Sequence, residues 1–319
     1  MKILITGGLG FIGHNLANSF DKLGHTVVVT DNRTNYGVIP KEELDYIITE
    51  RKNILSENVF IHSMDICMPS IDALFETYKF DIVVHTASFP RQKVVNTNPM
   101  QGSRVMSEGL LNLLETSKKY NIKKFVYLSS SMVYGSFNTI VDEDYNCKPE
   151  GQYGILKLAG ENLVKDYSRR NCFSHTIIRP SAVYGPCDLE DRVVSKFILS
   201  AMRGETLQVN GQSELLDFTY IDDTVNGIVS ATLSDNTDNK TYNISRGNGR
   251  TLLEAAQIAL GTANGGMLEV NAKDIAYPSR NQLNIEKAQK DFGFNPKIDI
   301  ESGFKIYYDW LRSSTFYTK

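Results

Sequence analysis

The stretch at 3–20, "ILITGGLGFIGHNLANSF", constrains the fold more than any other segment of the chain. Gly7, Gly10 and Gly13 stand three apart, directly after an apolar β-rich run at 2–6. They open a segment whose apolar residues Leu16, Phe20 and Leu23 are spaced by four and three, the period of one helix face. A lone glycine triplet is weak evidence, since ordinary turns use glycine for its φ freedom. Between a strand and an amphipathic helix the triplet has a specific reading. The first glycine permits a tight turn, the second admits a pyrophosphate to the backbone, and the third lets helix pack on strand. Unpaired N–H groups and a partial positive charge at the helix start then face the phosphates. Phe11 and Ile12 lie inside this turn and are expected to face the same ligand.

Further β-rich runs recur at 26–30, 81–85, 124–129 and 176–179, with helix-periodic segments between most of them. Leu110, Leu111 and Leu114 mark a later helical face. This alternation predicts an α/β fold: a doubly wound parallel sheet covered on both faces, with ligands outside the carboxyl ends of its strands. After about residue 180 the apolar runs shorten and Gly, Asn and Asp become denser, as in "VNGQSELLDF" and "NISRGNGRTL". The chain is therefore expected to divide into a nucleotide-binding domain at 1–180 and a smaller, mainly substrate-binding α/β lobe at 181–319. No Pro/Gly/Ser linker separates them, so some chain exchange and a shared cleft are expected.

With 319 residues, 41% of them hydrophobic, the chain has ample material for a core. Its net charge of −3 and the lack of any basic tract give a nucleic-acid partner no support. No run of about 18 apolar residues occurs, and "MKILITGG" is too short for a signal-peptide core, so a cytoplasmic protein is expected. Cys67, Cys147, Cys172 and Cys187 form no CxxC pair and the five histidines no HxH or HExxH pattern, which leaves no metal signature.

Asp31 ends the second strand about twenty residues past the glycines, where a carboxylate accepts hydrogen bonds from an adenosine ribose and repels a 2′-phosphate. That favours NAD over NADP, with Arg33 as the counter-signal, because an arginine there can bind such a phosphate. Asp65 and Ile66, in "MDI", suit an adenine edge and an apolar wall equally as well as a plain strand-end turn.

In "YGILK", Tyr153 and Lys157 stand four apart, on one helix face. A phenol titrates near 10, and a fixed ammonium close by favours the phenolate, so the pair makes a proton acceptor for a sugar or alcohol hydroxyl while a nicotinamide takes the hydride. On a solvated helix face the same pair would mean nothing. Ser129, Ser130 and Ser131 sharpen it, since they follow a strand expected to end on the ligand side of the sheet. A hydroxyl there can donate to a developing carbonyl oxygen or relay its proton to Tyr153. The alternative is that the serines only satisfy backbone groups.

With these residues in place, the chain resembles the extended short-chain dehydrogenase/reductases of the nucleotide-sugar epimerase/dehydratase group. The likeness runs through "GGLGFIG", "DNR", "MDI", "HTAS", "SSSMVYG", "YGILK", "RPSAVYGP", "LDFTYIDD" and "LNIEKAQKDFGFNP". It implies a Rossmann lobe holding NAD and a C-terminal lobe holding a nucleoside-diphosphate sugar. By motif position it makes Ser130 the catalytic Ser/Thr, Tyr153 the base and Lys157 the ribose-binding lysine that tunes it. It places Asp31, Asn32, Arg33, Asp65, Ile66, Thr86, Ala87, Ser88, Ser129, Pro180 and Val183 around the cofactor. Related 4,6-dehydratases carry Asp and Glu where this chain has Ser131 and Met132; a thioether does no acid or base work, which moves the expectation to 4-epimerisation through a transient 4-keto sugar.

Ala182, Leu216 and Met106 stand where the group often has Asn, Arg and Asn, so the substrate pocket is expected to depart from the pattern. Arg280 suits a diphosphate clamp. Ser131, Arg91, Lys93, Arg192 and Tyr220 are further substrate-side candidates, with solvated surface as the alternative for the last four. A 4,6-dehydratase, an NAD(P)-dependent keto-sugar reductase and an NAD-sensing regulatory protein stay open beside the epimerase. A homodimer is expected through the helices at 100–120 and 153–170.

Overall fold

The computed structural model describes residues 1–37, 39–170, 172–275 and 277–318. Its centre is a seven-stranded, all-parallel sheet. In chain order the first six strands are β1 (Lys2–Thr6), β2 (Thr26–Asp31), β3 (Phe60–Ser63), β4 (Ile82–His85), β5 (Lys124–Leu128) and β6 (Ser174–Pro180). The spatial order is Lys240–Ile244, β6, β5, β4, β1, β2, β3.

The strands read as near-continuous apolar runs because both faces are covered. Ile3, Ile5, Val27 and Val29 point into one core, while Leu4, Val28 and Val83 point into the other. The first core extends across the helices Phe11–Lys22 and Ile221–Leu233 to Val193–Met202, Leu252–Ala263 and Ile300–Ser313. Beside them, Thr206–Asn210 and Met267–Asn271 form a small parallel pair.

Strand order reverses between β1 and β4, so the crevice beyond their carboxyl ends is the ligand position of a doubly wound sheet. Thr6 and His85 face each other there, with Thr6 Oγ1 and His85 Nδ1 2.7 Å apart. Burial holds that histidine neutral, far below its usual range.

Five of the seven strands follow the expected runs to within a residue or two. β3 and Lys240–Ile244 were not among them. β3 is an edge strand of four residues with Phe60 and Ile61 exposed, and "KTYNI" is too polar to read as a buried strand. The Lys240–Ile244 strand completes the sheet from beyond residue 180.

Two helical faces also differ from expectation. The first helix ends at Lys22, so Leu23 is its cap and is exposed. In the later helix Leu113 turns inward with Leu110 and Leu114, while Leu111 faces outward. That helix is preceded by a π-helical turn at Arg104–Gly109, which carries Met106 into the site region.

Candidate active site

A cleft of about 1090 Å³ opens at the carboxyl ends of the strands and continues along residues 180–216 and 273–280. The glycine turn forms its floor at one end. Gly7 has φ +69°, and a Cβ on it would meet Ala87 N at 2.7 Å; a Cβ on Gly13 would fall 2.2 Å from Gly7 O. The close fit of turn, helix start and the segment after β4 therefore depends on glycine at both positions.

Gly7, Gly10, Phe11, Ile12 and Gly13 all line the cleft, as do Thr86, Ala87 and Ser88. Thr86 Oγ1 donates to Thr6 O at 2.7 Å, which fixes this segment against β1. Asp31, half-buried at the end of β2, accepts from Leu9 N at 3.1 Å and from Arg33 N at 2.7 Å. Arg33 and Asn32 are exposed on the rim beside it. Asp65 accepts from Cys67 N at 2.9 Å, and the buried Ile66 packs on Gly109. A narrow backbone cradle, a helix start and a ribose-side carboxylate fit a dinucleotide. Gly7, Gly10, Gly13 and Asp31 are the residues that would hold it.

At the other end Tyr153 and Lys157 project from the helix Gln152–Arg169, both buried. Ser130 follows the end of β5 in extended conformation. Its hydroxyl accepts from Met132 N at 3.2 Å, and the side chain lies beside Tyr153, whose phenol it helps to pull down. The serine thus caps the short turn Ser131–Tyr134, the backbone-satisfying role, while it also lines the cleft.

Burial raises the Tyr153 phenol, with Arg192, Ser130 and Arg280 pulling in the opposite direction. Lys157 is not among the groups that pull this phenol down. Lys157 Nζ instead donates to Leu128 O at 2.6 Å, lies 5.8 Å from the Tyr153 ring centroid and is itself pushed down to about 7 by burial. The guanidinium groups of Arg192 and Arg280 favour the phenolate.

Met132 packs with Phe89, Val94, Val95, Met106 and Tyr153 in one apolar cluster. The two methionines at departures from the family pattern therefore sit together on one wall beside Tyr153. Ala182, another departure, takes φ +38°, a left-handed conformation in which Asn is better tolerated than Ala.

Pro180, Val183, Ser131, Arg91, Arg192 and Arg280 all line the cleft. Arg91 pairs with the Asp191 carboxylate and donates to Asp191 O at 2.7 Å. Asp191 also takes Lys93 at 3.3 Å and Lys196 at 3.2 Å, while Arg192 makes only a 3.7 Å contact with Asp188. Burial lowers both Arg91 and Arg280 to about 10. Tyr220 is different. Its strand Thr219–Tyr220 pairs with Val183–Tyr184, which buries the ring 5.7 Å from that of Tyr184 in the core, and it is not among the described residues lining the cleft.

The sequence reading missed what stands behind the serines. Ser129 Oγ donates to Glu161 Oε1 at 2.6 Å, and Arg179 grips the same carboxylate through Nε at 2.9 Å and Nη2 at 2.7 Å. Arg179 reaches on to Tyr134 OH, which donates to Asn243 Oδ1 in the seventh strand. The signal was available in part: Glu161 is one turn past Lys157 on the same face, as the spacing of Tyr153 and Lys157 would suggest.

The model for the NAD dependent epimerase/dehydratase family matches residues 3–245, and the chain belongs to that family. It is accordingly an NAD-dependent enzyme. Among its relatives is a putative UDP-glucose 4-epimerase of Methanocaldococcus jannaschii, 28% identical, with 98% of this chain and 99% of the relative covered. UDP-glucuronate 4-epimerase 5 of Arabidopsis thaliana is 30% identical over 100% of this chain and 76% of its own. A crystal structure of UDP-glucuronic acid 4-epimerase from Bacillus cereus, in complex with UDP-glucuronic acid and NAD, superposes with a TM-score of 0.89 at 25% identity, covering 98% and 99% of the two chains. Among the described residues no helix is long and apolar enough to cross a membrane, and no group of side chains is arranged to hold a metal ion.

Proposed function

We propose that this enzyme is a UDP-sugar 4-epimerase that works through a transient 4-keto sugar. The observation that carries the reading is the pairing of Ser130 and Tyr153 with an apolar wall of Met132 and Met106 on the side where elimination would need a carboxylate. Its relatives named as UDP-glucose and UDP-glucuronate 4-epimerases support the same substrate class.

Tyr153 accepts the proton of the sugar C4 hydroxyl, and Ser130 holds that oxygen and donates to it as it becomes a carbonyl. Bound NAD supplies a reversible hydride acceptor for the hydrogen on C4. Arg280 and Arg192 hold the anionic end of the substrate and favour the phenolate during the proton transfer. Turning the keto sugar and returning proton and hydride to the other face inverts C4 with no net oxidation. Met132 offers neither acid nor base for losing water. Two copies pair through the helices around 99–119 and 152–169, a reading supported by the exposed Met100, Leu111 and Ile155 on them.

Purified enzyme incubated with UDP-, GDP-, CDP- and dTDP-sugars and followed by NMR is expected to form the C4 epimer of a UDP-sugar at constant NAD. A dehydrated product, or NADH accumulating in step with turnover, sinks the proposal. Light scattering at several concentrations checks the dimer.

A further inference from the structure

Arg51 is used neither by the glycine motif nor by the Ser/Tyr/Lys chemistry, yet it is a buried cation that lines the cleft. It comes from the helix Lys41–Ile54 on the nucleotide side. Nη1 donates to Leu9 O at 3.0 Å, inside the glycine-rich turn. Nε and Nη2 both donate to Cys187 O, at 3.1 and 2.7 Å, in the loop that follows the Val183–Tyr184 strand. One guanidinium fork therefore ties the floor of the nucleotide site to a loop of the opposite wall, whose next residues, Asp188 to Arg192, line the cleft.

The loop is held under strain. Cys187 has φ +67°, a conformation that a residue with a Cβ keeps only where its surroundings fix it, and its carbonyl is the one Arg51 grips twice. The charge of Arg51 is also incompletely matched. Among the described residues no carboxylate is in ion-pair contact with it, although Asp188 and Asp31 lie within electrostatic reach and oppose the effect of burial. An unmatched, desolvated cation beside the start of the first helix favours an anion in the cleft.

We propose that Arg51 latches the glycine-rich turn to the 185–192 loop and thereby sets how long NAD would stay bound in the cleft. The inference rests on the NAD site, and it matters most for an enzyme that regenerates its cofactor in each cycle and gains nothing by releasing it. Arg51 acts here as a positioning residue, through two backbone carbonyls. Lysine can keep the charge but not grip both carbonyls, because it presents one ammonium where arginine presents a planar fork.

The test is the NAD content of purified protein and the rate at which NAD leaves it, in wild type, Arg51→Met and Arg51→Lys, with folding checked by circular dichroism. NAD is expected to leave Arg51→Met about tenfold faster or more, and Arg51→Lys at an intermediate rate, since hydrogen bonds from a charged donor are lost. Variants that fold and release NAD at the wild-type rate overturn the proposal, even if their melting temperature falls, because a plain strut would lower stability alone. Should Arg51→Met fail to fold, Arg51→Lys decides on the same criterion. Wild-type protein purified without NAD would count against the recycled-cofactor reading of the reaction, and the ratio of NAD dissociation constants between wild type and Arg51→Lys would then decide the latch.

Discussion

The pair Glu161–Arg179 offers the sharpest test of how the site is held. Both side chains are almost fully excluded from solvent, at 0% and 3% exposure. Two guanidinium contacts of 2.9 and 2.7 Å and the Ser129 hydroxyl at 2.6 Å converge on one carboxylate. Removing one partner of such a pair strands a buried charge, at a cost of about 3–5 kcal/mol. Glu161→Gln keeps the shape and an acceptor for Ser129, so its cost is expected near the low end of that range. Arg179→Met leaves the carboxylate with Ser129 and the half-exposed Lys165 at 3.6 Å, and is expected to cost more.

The double variant removes both charges, so its cost is expected to fall short of the sum of the single costs by about 2 kcal/mol. Urea unfolding followed by circular dichroism and by fluorescence measures all three, given that the two probes coincide. Turnover should fall in each single variant, since the side chain that anchors Ser129, directly before Ser130, is no longer fixed by its full set of contacts. Single costs below about 1 kcal/mol, or additivity within about 0.5 kcal/mol, would refute the idea that this pair is a coupled buried unit.

Three other outcomes are expected. Tyr153→Phe removes the proton acceptor and should lower epimerisation by a factor of about 10²–10⁴ while leaving NAD content unchanged, as read by turnover and by acid-released cofactor. Lys157 has a folded-state pKa of about 7, below its unfolded value, so the unfolded chain binds more protons between about pH 7 and 10.5 and wild-type stability should rise with pH across that window. Lys157→Met should lose that rise in pH-dependent unfolding; an unchanged slope would contradict the burial cause. Asp31→Asn removes the carboxylate that disfavours a 2′-phosphate, so titration should show weaker NAD binding and a ratio of NADP to NAD affinity that increases, helped by the neighbouring Arg33.

Much of this was legible in order along the chain. The glycine turn is local: strand, three glycines and helix are contiguous, and their geometry follows from φ freedom and apolar spacing. The same holds for Tyr153 and Lys157, because a helix puts positions four apart on one face whatever surrounds it. The sequence also carried the absence of a carboxylate at Met132, on which the proposed choice of epimerisation over elimination rests.

What it could not carry were quantities set by distant neighbours. Lys157 reads as the cation beside Tyr153, but that its buried ammonium also donates to Leu128 O, and that Arg192 and Arg280 act on the same phenol, does not show in the sequence. Tyr220 looked like a pocket residue until its strand pairing turned the ring into the core. Arg51 sits in the polar stretch "TERKNI", where nothing distinguishes it from its charged neighbours. Its burial and its two carbonyl partners, 42 and 136 residues away, exist only once these distant segments have packed together. Periodicity and turn chemistry act within a few residues and so fix elements and motifs; desolvation and charge pairing depend on which elements meet, and only the tertiary structure decides that.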